Sequence, residues 1–155
     1  MHKIFGKKEA VSYTDREGAY LIPIKNGRVA VIETPKGYFL LGGGVDTGES
    51  HEACIKRECL EETGCEARVG NWIASAETYT THPVIGYFHP IQAYYAGELS
   101  ERVQDPVERD HRLVWIEAAD AAGKMFSPMQ AWAVALALSE DVQALDRTTK
   151  AKPAR

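Results

Sequence analysis

The run from Gly42 to Cys65, GGGVDTGESHEACIKRECLEETGC, constrains this chain more than any other stretch, because it joins a cluster of glycines to a helix crowded with carboxylates. Gly42, Gly43 and Gly44 predict a sharp turn that runs directly into the helix. Glu49 and Glu52 then fall in the expected first turn, where acidic side chains favour the positive end of the helix dipole. The far end is less ordinary. Glu58, Glu61 and Glu62 gather in the last turns, where the dipole and their mutual repulsion both oppose them. At about 100° per residue, Glu61 and Glu62 lie at i+3 and i+4 from Glu58, so all three are expected on one narrow, open face. Such a face calls for a cation. Clustered hard oxygen ligands suit Mg²⁺ or Mn²⁺, and the work of such an ion is to hold substrate phosphates. Arg57 can neutralise part of the charge and orient a carboxylate through its planar fork. Gly64 is placed to end the helix as a C′ glycine.

An acidic run alone would be a solvated helix face. The spacing of its companions reverses that reading, since Gly43, Glu49, Arg57, Glu58, Glu61, Glu62 and Gly64 resemble the Nudix box at every charged and glycine position. That box is a Gly, five residues, a Glu, seven residues, and then Arg-Glu-U-x-Glu-Glu-x-Gly-U, with U a bulky aliphatic residue. The two U positions hold Cys59 and Cys65 instead. Both are small, buriable hydrophobes, so the departure alters packing and leaves the chemistry intact.

The resemblance to the Nudix (MutT-like) hydrolases implies an α/β fold, the Nudix α/β/α sandwich with a mixed β-sheet between helices. It implies hydrolysis of the pyrophosphate bond of a nucleoside diphosphate linked to another group, with a nucleotide-derived small molecule as substrate. Glu58, Glu61 and Glu62 would be the ligands of Mg²⁺ or Mn²⁺, assisted by the backbone carbonyl of Gly42. The general base is expected to be Glu58 or a carboxylate in the loop before the last strand, where Glu108 is the best match and Asp110 the runner-up. Arg57 would orient a ligand carboxylate, while Gly43, Glu49 and Gly64 support the loop and helix. Triphosphate, ADP-ribose-like and dinucleotide substrates stay open, because Pro83 and Tyr79 each come near a position that marks a subgroup and neither fits. A homodimer is compatible with the resemblance. The alternative from another class is a Nudix-like module that binds a nucleotide as a sensor without cutting it. A complete set of carboxylates favours the enzyme.

Composition narrows the rest. The 155 residues, 45% hydrophobic and 26% charged, fit one domain over residues 1–145, with a polar, basic tail over 146–155 expected to fray. A net charge of −4 gives none of the basic footprint that duplex nucleic acid needs. The three cysteines, Cys54, Cys59 and Cys65, are odd in number and lack C-x-x-C spacing, which argues against a disulfide framework or a zinc site. No apolar run is long enough to span a bilayer, so the expected setting is cytoplasmic.

Along the chain, Gly18 to Ile24 and Val29 to Glu33 read as strands joined by the Asn26-Gly27 hairpin signal, with Pro23 predicting a bulge or an unpaired edge. Met1 to Arg16 offers a short strand at best, and a further strand spans Tyr38 to Leu41. Strand-like runs follow at Ala67 to Val69, Trp72 to Tyr79 and Gly86 to Tyr95. Tyr79, Tyr87 and Phe88 could stack a base, although aromatic stripes in strands are more often core. His82 and His89 read as structural or solvated. Gly97 to Arg112 reads as a long loop, followed by a strand from Leu113 to Ile116 with Trp115 buried. Ser127-Pro128 caps a helix that reaches to about Leu138, packing through Met129, Trp132, Ala133 and Leu136.

Overall fold

The computed structural model describes the backbone of residues 1–151 and the side chains through Asp141. The architecture turns on one hairpin. Strands β2 (Thr14–Lys25) and β3 (Arg28–Thr34) meet through the expected two-residue loop, in which Asn26 and Gly27 both take positive φ. Only Ile24↔Val29 and Lys25↔Arg28 register across them. At Pro23, which has no N–H for the ladder, the strands part and enter two different sheets. Pro23 registers instead with Gly97 on its other side.

The larger sheet is mixed. It runs from β1 (His2–Phe5) through β6 (Cys65–Thr78) and β8 (Gly86–Arg102) to β2, with β5 (Leu41–Gly44) on the far side of β2 and β7 (Thr80–His82) against β8. The β1–β6 and β2–β8 pairs are parallel, and the others are antiparallel. The smaller, antiparallel sheet places β3 between β4 (Gly37–Phe39) and β9 (Arg112–Glu117).

Helices cover both faces of the larger sheet. Helix α1 (His51–Thr63) sets Cys54, Ile55 and Cys59 against Ala19, Leu21, Leu41 and Ala67. Helix α3 (Pro128–Ala151) sets Met129, Ala133, Val134 and Ala137 against Ile22, Ala74, Ala76 and Tyr94. Strand β2 therefore buries alternate residues in opposite cores, as a strand between two helical layers must. This is the α/β/α sandwich with a mixed sheet that the sequence implies.

Several boundaries differ from the sequence reading. Strand β8 continues to Arg102, so the loop expected over Gly97 to Arg112 shortens to residues 103–111. Register shifts between Val69 and Trp72 let β6 follow β8 along that extension. Trp115 is 37% exposed, not buried, because β9 is an edge strand whose outer side faces a cleft. Helix α2 (Ala118–Lys124) was not anticipated; it is short and has no side-chain cap to mark its start. Helix α3 passes Leu138 and runs to Ala151, since residues 139–151 contain neither Gly nor Pro to stop it. The expected frayed tail over 146–155 lies outside the residues whose side chains are described. No helix among the described residues is long and apolar enough to cross a membrane.

Candidate active site

The glycines do not make the expected sharp turn. They form strand β5, in which Gly42, Gly43 and Gly44 register with Tyr20, Ala19 and Gly18 of β2. A Cβ on Gly42, whose φ is 139°, would sit 2.2 Å from the Ala19 carbonyl oxygen, and one on Gly43 would sit 2.7 Å from the Glu58 carboxyl carbon. Close packing of β2 and α1, and not turning, is what excludes side chains here.

The helix does not follow directly either. Asp46 to Gly48 makes a turn in which the Asp46 carbonyl accepts from Glu49 N–H at 2.9 Å. Ser50 is the N-cap, its hydroxyl accepting from Ala53 N–H at 3.1 Å. Glu49 therefore precedes the helix, and only Glu52 occupies the first turn. The Glu49 carboxylate closes the loop by accepting from Asp46 N–H at 3.0 Å.

Arg57 ties this loop to the helix. Its Nε donates to Glu49 Oε2 at 2.8 Å and its Nη2 to Glu49 Oε1 at 2.9 Å, a two-pronged fit that only a guanidinium provides. Nη1 donates to Glu58 Oε1 at 2.9 Å, and Nη2 also donates to the Gly44 carbonyl at 3.1 Å. Asp46 and Glu61 each present a carboxylate oxygen 3.5 Å from this fork. Hydrogen bonding to Arg57, foremost, holds the Glu49 carboxyl down at about 2.

The three helix carboxylates do not share one open face. Ile55, Cys59 and Glu62 follow i, i+4, i+7 spacing, so Glu62 turns inward with the core stripe and is only 6% exposed. Glu61 stays outside at 40% side-chain exposure, and Glu58 lies between them at 18%. Glu62 Oε1 accepts from Gly42 N–H at 3.0 Å, while Oε2 lies 3.3 Å from His111 Nδ1. Burial pushes the Glu62 carboxyl up to about 8, with the charges of Glu58, Glu108 and Glu61 adding to it. Burial also raises Glu58, although Arg57 opposes the shift.

The 103–111 loop is strapped to the end of α1. Gly64 takes the left-handed conformation (φ 74°) and donates to the Leu60 carbonyl at 3.0 Å. The Gly64 carbonyl accepts from Val103 N–H at 2.8 Å, and the Glu61 carbonyl accepts from Val107 N–H at 2.8 Å and Glu108 N–H at 3.2 Å. The loop thus brings the charge of Glu108 to bear on Glu58 and Glu62. The Asp110 side chain makes no hydrogen bond or ion pair among the described residues.

The donor chemistry suits a divalent cation. Glu58 and Glu61 supply hard oxygens that share the Arg57 guanidinium, and Glu62 supplies a buried carboxylate whose polar neighbours among the described residues include Gly42 N–H and His111. Their present partners are protein groups, so among the described residues no three His, Cys, Asp or Glu side chains converge as an assembled metal cage.

The aromatic and histidine candidates lie apart from this centre and engage one another. Tyr79 stacks on His89 with centroids 4.3 Å apart, Tyr87 meets Tyr13 edge-on, and Phe88 meets His82 edge-on. His89 bridges Asp15 at 2.8 Å and Glu77 at 3.0 Å. Sequence reasoning missed Asp46, within the box itself, and His111, Tyr20 and Arg16, which reach it from other elements. No local pattern marks the last three, because their placement depends on pairing between distant strands. The cysteines are all free and buried, and Cys54 Sγ approaches the Gly43 and Gly44 carbonyls at 3.5 Å.

The chain is similar to known proteins over most of its length. A family model described as the NUDIX domain matches residues 14–137. No curated protein gives a significant match. Among solved structures, a NUDIX hydrolase from Nitrosomonas europaea is 17% identical with a TM-score of 0.66, the match covering 82% of this chain and 90% of that one. A MutT NUDIX hydrolase from Burkholderia pseudomallei is 22% identical with a TM-score of 0.62, covering 79% and 98%. An ADP compounds hydrolase is 21% identical with a TM-score of 0.61, covering 87% and 77%. At these identities the structural likeness speaks to the fold.

Proposed function

Because the chain belongs to the NUDIX family, and is by that membership a Nudix pyrophosphohydrolase, we propose that it hydrolyses the pyrophosphate bond of a nucleoside diphosphate linked to another group, with Mg²⁺ or Mn²⁺ bound. The observation that carries the reading is the convergence of Glu58 and Glu62 on β5, one against Gly43 and the other on Gly42 N–H, with Arg57 locking Glu49 and Glu58 in place. Glu58, Glu61 and Glu62 would hold the cation, with the Gly42 carbonyl assisting. When bound, such an ion neutralises phosphate charge and lowers the pKa of attacking water.

The chain's own groups do the rest. Arg57 fixes one oxygen of Glu58, which limits how that carboxylate can turn toward substrate. Either Glu58 or Glu108 accepts the proton of the attacking water. Burial raises the Glu58 carboxyl above its ordinary value against the pull of Arg57, which makes its ionised form a stronger base. Glu49 and Gly64 act through others, the first by closing the loop onto Arg57 and the second by anchoring the loop that carries Glu108.

The test is release of nucleoside monophosphate from nucleoside triphosphates, ADP-ribose-like compounds and dinucleotides with Mg²⁺ or Mn²⁺, alongside Glu61→Gln. Since one neighbouring fold is an ADP compounds hydrolase, ADP-containing diphosphates head the panel. Turnover of one class, lost in Glu61→Gln without loss of fold, is expected. Full activity in that variant would refute the ligand assignment. Nucleotide binding with no turnover anywhere would favour a sensor.

A further inference from the structure

Resting on that reading, we infer that Arg16 and the Tyr20 hydroxyl form an anion subsite over the Gly18–Gly44 pair, which takes the substrate phosphate lying beyond the carboxylates of α1. Gly18 and Gly44 are register partners across β2 and β5. A Cβ on Gly44 would lie 2.4 Å from Arg16 Nη2, and a Cβ on Gly18 would lie 3.4 Å from the Tyr20 hydroxyl. The guanidinium and the phenol thus rest on adjacent glycines, side by side. On the next residue of β5, the Cα–Cβ direction of Gly43 points at Glu58 instead. Gly43 and Gly44 are consecutive, so Glu58 lies against one face of β5 and the two donors against the other, and because β5 pairs only with β2 among the described residues its outer edge joins the two faces. A diphosphate lying across that edge would set one phosphate at the cation site and turn the other toward Arg16.

Arg16 is exposed and forms no ion pair with any carboxylate among the described residues. Its two acidic neighbours in the chain are otherwise engaged, as alternation along the strand requires. Asp15 binds His89, and Glu17 binds His51. An arginine left without a carboxylate, held flat on backbone by the absence of a side chain at Gly44, is a preformed fork for phosphate. Burial keeps the Tyr20 phenol protonated and thus a donor. Glu58 and Glu62 are the charges that oppose an anion here, and a bound cation would offset them.

The experiment measures binding of methylenebisphosphonate, a pyrophosphate whose bridge cannot be hydrolysed, by titration calorimetry with Mg²⁺. Arg16→Ala is expected to weaken it by roughly tenfold or more, the share of one charge-assisted contact at an exposed site, with Arg16→Lys intermediate. Gly44→Ala keeps the charge but pushes the guanidinium off the strand, and it should weaken binding in the same direction. With a nucleotide substrate, Arg16→Ala should raise KM far more than it lowers kcat. Binding of the bisphosphonate by Arg16→Ala at wild-type strength would overturn the inference. That outcome is separate from the reaction assignment, which stands or falls on Glu61→Gln turnover, whereas calorimetry decides the subsite even if no substrate is cut.

Discussion

Replacing Glu62 by Gln should make the metal-free protein more stable while removing its activity. The side chain is 6% exposed and its carboxyl is pushed from 4.5 up to about 8, principally by burial. In the unfolded chain the group ionises near the ordinary value, so folding at neutral pH forces it to take up a proton. At pH 7 that costs about 1.4 kcal/mol for each of roughly 2.5 pH units, on the order of 3 to 3.5 kcal/mol. The sign follows from proton counting. Between pH 4.5 and about 8 the folded state binds more protons than the unfolded state, so stability contributed by this group is intact below pH 4.5 and falls as pH rises through that window.

Glutamine is neutral at every pH and can still accept from Gly42 N–H. Its amide nitrogen can also donate to His111 Nδ1, a buried atom that has no hydrogen-bond partner among the described residues. Thermal unfolding in EDTA across about pH 5 to 8 is the assay. For a chain of this size about 3 kcal/mol corresponds to a Tm roughly 6 to 12 °C above wild type near neutrality, with the gap closing toward pH 5. Equal Tm values, or a gap that does not change with pH, would refute the claim that Glu62 is a strained buried acid.

Two further variants test the supports of the site. Arg57→Lys keeps the charge but cannot grip Glu49 with two parallel hydrogen bonds, so kcat should fall roughly 10- to 100-fold with little change in far-UV circular dichroism. Wild-type kcat would show that the fork is dispensable. Gly64→Ala imposes a side chain on a left-handed residue, at about 1–2 kcal/mol, and its Cβ would meet the Gln104 carbonyl oxygen at 1.9 Å. Unfolding should therefore come at lower denaturant, and native-state hydrogen exchange should quicken at Val107 and Glu108, whose N–H groups are held by Glu61. Unchanged exchange at those amides would mean that the loop does not depend on Gly64.

The helix, its closing glycine and its charged residues were legible in the sequence because each depends on spacing within a single turn or two. Arg57 acts on Glu49 and Glu58 within the same motif, and Gly64 closes the helix on Leu60 four residues back. The Asn26-Gly27 turn and the effect of Pro23 were legible for the same reason. What local spacing could not show is which side of a helix faces the core. The three carboxylates fit one acidic face by their angles, yet Glu62 also completes a stripe with Ile55 and Cys59, and the sheet selects the stripe. Residues 97–102 look like loop by composition, with Glu98, Ser100, Glu101 and Arg102, and become strand only because β6 offers them a ladder.

The glycine segment carries this argument furthest. Three consecutive glycines have poor intrinsic preference for a strand, and a turn is the sound local expectation. They become a strand because β2 pairs along one edge, while the other edge is filled from α1 by Glu58, Glu62 and Arg57. The missing side chains matter on the faces: the space a Cβ would fill is taken by Glu58 at Gly43, by Arg16 at Gly44 and by the Ala19 carbonyl at Gly42, so the glycines let a carboxylate approach the backbone. Burying Glu62 against that strand raises the free energy of the ionised site. On the proposed ligand assignment, a cation bound there would recover part of this energy, so one packing arrangement would both destabilise the apo carboxylate and favour a divalent ion.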